Sequence, residues 1–158
     1  MKKILLSSAL FLLVLGAFSQ EKRNGDIYME HPYITVVNNS VKAYLDKDIA
    51  ANTKIFSDTA KFWASGMSKR IPIAEALKHW AADFDLYDSI ALIKVGYPDY
   101  LAYIDQDAKT VQSWWRWKGK SKKTGEMLNI PCVQFDDFNK DGKIVFESIY
   151  GDFSKMEH

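Results

Sequence analysis

The chain has 158 residues, 47% hydrophobic and 14% aromatic, with 21 basic against 20 acidic side chains. That length suits one well-filled core, and the near-zero net charge removes the electrostatic case for nucleic acid or an anionic membrane surface as partner. A single cysteine, Cys132, excludes an internal disulfide; its neighbours Ile130, Pro131 and Val133 argue for a buried, inert thiol.

Met1-Lys2-Lys3 followed by the apolar run Ile4 to Phe18 has the form of a secretory signal, with Ala17-Phe18-Ser19 as a small-residue cleavage site. About 15 apolar residues fall short of the roughly 20 that span a bilayer. Residues 1–19 are therefore expected to be cleaved, leaving an exported protein, periplasmic or secreted, without membrane attachment. Residues 20–33 are polar and read as a mobile lead-in. Residues 34–158 read as a single domain.

Within it, Ile34, Val37, Val41, Tyr44 and Leu45 fall at helical spacing. Asp48 is placed to cap a short second helix from Ile49 to Phe56 by accepting its free amide hydrogens. Ser57-Asp58-Thr59 reads as a break, Ala60 to Ala64 as a short strand and Gly66 to Ser68 as a turn. Pro72 suits the first position of a third helix, in which Ile73, Ala76, Leu77, Trp80, Ala81 and Phe84 share one side. Strands follow at Ser89 to Val95 and Tyr100 to Ile104. Three long strands then close the chain, joined by glycine turns. On the first of them Val111, Ser113, Trp115 and Trp117 alternate with Gln112, Trp114, Arg116 and Lys118, and the former set is expected to face the core. The last strand is apolar on both sides, and a strand of that kind is usually covered on both. Helices can cover only one face, so the outer face, with Trp114, is expected to pair with a second copy as a symmetric dimer.

The helix pair through Asp48-Ile49 into Phe56-Ser57-Asp58, the Lys118-Gly119 and Thr124-Gly125 turns, and Phe138 through Asp141-Gly142-Lys143-Ile144 to Tyr150-Gly151-Asp152 resemble the nuclear transport factor 2-like superfamily, in particular its SnoaL-like branch. The likeness runs from about Ile34 to Phe153. It implies an α+β fold in which N-terminal helices pack on a strongly curved antiparallel sheet, a cone-shaped, cystatin-like roll around a cavity. It also implies frequent dimerisation through the outer sheet face. Enzymes of the superfamily often work without a metal, using carboxylates, tyrosines or histidines tuned by an apolar pocket. The position similar to the ketosteroid isomerases' general base falls on Trp63, their oxyanion-hole tyrosine near Ser40 and their protonated aspartate near Gln134. The carboxylate of the polyketide cyclases' last strand falls on Ile149.

Among other polar residues, Asp136 and Asp137 lie on a strand near its turn; one facing inward under an apolar ceiling would hold its proton more tightly and could act as acid or base. Glu147 shares a strand face with Val145 and Ile149 and needs a partner if buried, for which Arg116 on the tryptophan strand is the candidate. His31, His79 and His158 do not converge, so no metal site is expected. Asp137, Asn139 and Asp141 beside Gly142 read as a hairpin turn, because the spacing of a calcium loop is missing.

Three functions remain open. The first is a binding module that holds a small apolar or aromatic ligand, without cofactor, among Tyr44, Trp63, Trp80, Trp117, Gln134 and Tyr150. The second is a cofactor-free isomerase, dehydratase or cyclase using Asp136 or Glu147, with a tyrosine polarising a carbonyl. The third is a dimerising scaffold whose cavity is filled by side chains.

Overall fold

The computed structural model describes residues 23–104, 106 and 108–157. The segment read as a secretory signal, residues 1–19, lies outside the described residues. None of the described helices is long and apolar enough to cross a membrane.

Three helices, α1 (Pro32–Leu45), α2 (Ile49–Ile55) and α3 (Ile73–Leu86), precede most of the sheet. The strands are β1 (Gly25–Tyr28), β2 (Phe56–Ala64), β3 (Ile71–Pro72), β4 (Tyr87–Lys94), β5 (Asp99–Tyr103), β6 (Lys109–Ser121), β7 (Met127–Phe138) and β8 (Ile144–Gly151). Their order is β1-β5-β6-β7-β8-β2-β3, with β4 on β6 beside β5. The architecture is the expected α+β one. One expectation about the sheet is corrected: β2 runs parallel to β8, so the sheet is mixed. Such a pairing needs a long crossover, and between β2 and β8 the chain returns through α3 and five further strands.

Local chemistry accounts for the helix starts. His31 caps α1, its Nδ1 accepting from Tyr33 N at 3.2 Å, with Pro32 at the first position, where a missing N–H is harmless. Asp48 caps α2, its carboxylate accepting from Ala51 N at 2.9 Å. Ser40 Oγ donates to Asn52 Oδ1 at 2.8 Å and ties α1 to α2 in the interior.

Several boundaries differ from expectation. Part of the stretch read as a mobile lead-in is built into the fold, since Gly25–Tyr28 pair with β5 and the His31 ring stacks on Tyr100 at 3.6 Å. Ser57-Asp58-Thr59 do not break the chain; they bulge within β2, where the register with β8 shifts between Phe56 and Lys61. Pro72 belongs to β3 and flanks α3 as its N-cap. Gly119 lies inside β6, where a Cβ would come within 2.4 Å of the Trp117 ring; glycine lets the indole lie over its own strand. The turn at Asn139–Lys143 is the simple hairpin expected, with Asn139 Oδ1 accepting from Asp141 N and Lys143 N and Gly142 at a φ of 74°.

Alternation on the tryptophan strand is as read: Val111, Ser113, Trp115 and Trp117 are buried on the helix-facing side. The interior has two parts. Ile34 and Val37 of α1, Ile73, Ala76 and Leu77 of α3 and Phe62, Val111 and Trp115 of the sheet belong to the larger cluster. Tyr44, Tyr87, Trp117, Leu128 and Ile130 form the smaller. Trp80 packs against both.

Candidate functional site

One register row crosses the sheet on its helix-facing side: Tyr28, Tyr100, Val111, Asp136, Glu147, Phe62 and Ile71 are successive cross-strand partners. Its two central members are acids. Asp136 is 0% exposed and Glu147 2%.

A bulge turns Glu147 inward. Asp137 pairs with Phe146, whereas Phe138 pairs with Ile144, so Val145 is one residue extra in β8. A single added residue reverses the alternation beyond it. Ile144 before the bulge and Glu147 after it therefore both reach the buried face, and both are buried. The expected ion pair between Glu147 and Arg116 does not form: Arg116 is exposed opposite Pro131, on the strand face away from Trp115 and Trp117. Of the two adjacent aspartates, Asp136 points in. Asp137 points out, where Thr110 Oγ1 donates to its Oδ1 at 2.6 Å.

Gln134 lies two residues before Asp136 on the same face, and its Nε2 donates to Asp136 Oδ2 at 2.9 Å. Across the strand pair Ser113 is the partner of Gln134, and Ser113 Oγ accepts from Trp115 Nε1 at 2.8 Å. Asp136 Oδ1 is buried without a hydrogen-bond partner. Two acceptor-only carboxylates cannot satisfy each other; a proton in the hydrogen bond between Glu147 and Asp136 supplies the missing donor. Burial accordingly pushes Asp136 up to about 7, opposed by the hydrogen bonds from Glu147 and Gln134. Burial, and then the charge of Asp136, push Glu147 well above the usual carboxylate range. Near neutral pH the pair therefore holds a shared proton and can both accept and donate one, with an amide and an indole–serine contact beside it.

The other candidates are scattered. Tyr44, Trp80 and Trp117 meet at the smaller cluster, where Trp117 Nε1 donates to Tyr44 Oη at 3.1 Å and Tyr44 Oη donates to Asp83 Oδ2 at 2.9 Å. They fill that end of the interior with one another. Trp63 and Tyr150 are corrected: they lie on the outer sheet face, their rings 5.2 Å apart, with Phe135 at 5.9 Å from Tyr150. Neither can line the interior, and Trp63 Nε1 is bound to Met67 O at 2.9 Å. Ser40 holds two helices together, and Ile149 packs on the core opposite Gln134. The carboxyl pair thus lies two residues along from Gln134 and Ile149, the positions singled out by resemblance. Among the described residues no group of three or more histidines, cysteines and acids could hold a metal ion. The Cys132 thiol, half-buried, is pushed up to about 11 by burial.

No family model matches the sequence, and no curated protein matches it. Solved structures do match. IdmH of Streptomyces antibioticus, a proposed polyketide cyclase, superposes with a TM-score of 0.65 at 14% identity over 80% of this chain and 96% of its own. The fold is that of the nuclear transport factor 2-like proteins. A protein of that type from Burkholderia xenovorans matches with a TM-score of 0.58 at 13% identity, over 79% of this chain and 93% of its own. A protein of ketosteroid isomerase-like fold from Catenulispora acidiphila, solved in complex with trimethylamine, matches with a TM-score of 0.57 at 14% identity, over 73% and 83%. The nuclear transport factor 2-like fold fixes the architecture around the carboxyl pair; identities this low carry no residue roles across.

Proposed function

We propose that this nuclear transport factor 2-like chain is an exported, cofactor-free acid–base enzyme of the isomerase, dehydratase or cyclase type, acting on a small, largely apolar carbonyl compound. The observation that carries the reading is the Asp136–Glu147 pair. Two acids buried as neighbours in an apolar interior cost stability, and buried acids with strongly raised pKa values are candidates for a functional site. Asp136 takes a proton from carbon next to the carbonyl of a substrate that the packed interior must open to admit, since both carboxyls are buried. Glu147 gives its proton to the carbonyl oxygen as charge develops there. One proton enters the pair and one leaves it, and a transfer from Asp136 to Glu147 restores the starting state.

Two further elements belong to the proposal. The segment Met1 to Ser19 supports export. The outer-face aromatics Trp63, Phe135 and Tyr150 support a homodimer, because a half-exposed aromatic cluster on a sheet face is the composition of an interface core.

The test is hydrogen–deuterium exchange at carbon. Carbonyl compounds that raise the melting temperature of the protein from Gln20 onward are incubated with it in D2O and followed by proton NMR. The wild type is expected to catalyse α-proton exchange, and Asp136→Asn and Glu147→Gln each to slow it by about 10² to 10⁴ while the ligand still raises the melting temperature. Binding without exchange in the wild type contradicts the enzyme reading and leaves a binding module. Undiminished exchange in both variants removes these two acids from the chemistry.

A further inference from the structure

We propose that Gln134 is a positioning residue that decides which of the two buried carboxyls holds the shared proton, placing it on Glu147 and leaving Asp136 as the base. The inference rests on the acid–base reading for its catalytic meaning, but its physical content is independent of any substrate.

Asp136 and Glu147 are both acids, both buried and direct register partners, so by position alone neither is favoured to ionise. Their hydrogen bonds differ. Asp136 Oδ2 accepts the Gln134 amide N–H at 2.9 Å, and an N–H donor stabilises a carboxylate far more than a neutral acid. The hydrogen bond from Gln134 favours the charged form of Asp136. Glu147 receives none that favours its own. Gln134 is the only difference of that kind between them among the described residues.

The direction of the amide is fixed by its neighbour. The carboxylate of Asp136 accepts and does not donate, so the nitrogen of Gln134 must face it and the carbonyl must face away. Ser113, the register partner of Gln134, does not compete for that amide, since its oxygen already takes the indole N–H of Trp115 at 2.8 Å.

One charge opposes Gln134: that of Asp137, which raises Asp136 from the other face of the strand. Around the pair β6 presents Val111 and Ser113, β2 presents Phe62, and the helices contribute Ile34, Val37, Ala76 and Leu77 to the surrounding core, none of them titratable. Asp137 is turned to the other face and held by Thr110. Cys132, two residues before Gln134, keeps its proton to about 11. In the proposed reaction the arrangement starts with Asp136 charged and Glu147 neutral. After the substrate proton moves to Asp136 and the Glu147 proton to the carbonyl oxygen, the charges are reversed. The Gln134 donor then favours return of the proton from Asp136 to Glu147.

The experiment is a carboxyl ¹³C NMR titration of Asp136 and Glu147 in the ligand-free protein from Gln20 onward, wild type against Gln134→Met. Methionine keeps the length and removes the donor. In the wild type the Asp136 carbon is expected to ionise first. In Gln134→Met its midpoint is expected to rise by at least about one pH unit, with the Glu147 midpoint falling toward it. A variant that does not fold is replaced by Gln134→Glu, which keeps the shape and is expected to raise the Asp136 midpoint further. An Asp136 midpoint that stays or falls in the folded variant overturns the proposal, as does Glu147 ionising first in the wild type. Because no substrate is present, absent turnover would sink the enzyme reading without touching this result. An unmoved titration would remove the role of Gln134 without touching turnover.

Discussion

Asp136 and Glu147 face each other as register partners across β7 and β8, sealed from solvent, with a donor on one side only. A fold that keeps its acids this way binds protons more tightly than its unfolded chain does. The raised Asp136 pKa, from 3.8 to about 7, corresponds to about 4 kcal/mol of preference for the protonated folded form. The sign follows: the stability from Asp136 is fully present below about pH 4 and is lost as pH rises through about 7, and the raised Glu147 extends the fall above that. Calorimetric melting temperatures between pH 4 and 9 are expected to fall by several degrees across this window. In Asp136→Asn that slope is expected to be much reduced, with a higher melting temperature than wild type at pH 8, since the amide can accept from Gln134 and donate to Glu147. A wild-type profile that rises from pH 5 to 8 contradicts it.

Trp117 and Tyr44 make a second buried connection. Tyr44→Phe leaves the Trp117 indole N–H without its acceptor and takes a donor from Asp83. A loss of about 1–3 kcal/mol is expected in urea unfolding, with the Asp136 titration unchanged because the two clusters are separate. A neutral outcome would mean that water replaces the phenol.

Gly119→Ala puts a methyl group 2.4 Å from Trp117. A cost of about 1–3 kcal/mol is expected from displacing a packed ring, together with a change in the near-ultraviolet circular dichroism of the tryptophans. Gly125→Ala, where nothing lies within 4 Å of the added carbon, is expected to leave that spectrum alone.

The outer-face cluster predicts association. Sedimentation of the wild type is expected to give a dimer, and Trp63→Glu or Tyr150→Glu a folded monomer, with the carboxyl titration intact. A monomeric wild type would leave Trp63, Phe135 and Tyr150 without the proposed partner.

Much of this architecture could be read from residues. Alternation along Val111 to Trp117 gave the buried face of β6, the Asp48 cap gave α2, and the spacing from Ile73 to Phe84 gave α3. Those signals are local. The orientation of Glu147 is not, because it depends on one extra residue, Val145, opposite a strand whose register is set elsewhere. Arg116 was the natural partner for a buried glutamate by charge, yet it shares no face with Trp115 and Trp117 and so cannot reach inward. Trp63 and Tyr150 misled for a related reason: an aromatic residue in a short strand has no intrinsic side, and the bulged entry to β2 decides which way Trp63 faces. The edge strand β1 was hidden by its polar, glycine-containing sequence, whose stability comes from pairing with β5 and from His31 on Tyr100.

The most direct measurement is the protonation of Asp136 and Glu147 at pH 6, read from carboxyl infrared bands assigned with Asp136→Asn and Glu147→Gln. Two protonated C=O bands, one lost in each variant, of which the Asp136 band disappears near pH 7 while the Glu147 band persists, are the result expected of a buried pair that shares one proton above pH 7. Two carboxylates fully ionised at pH 6 would contradict it, and with it the acid–base reading of the site.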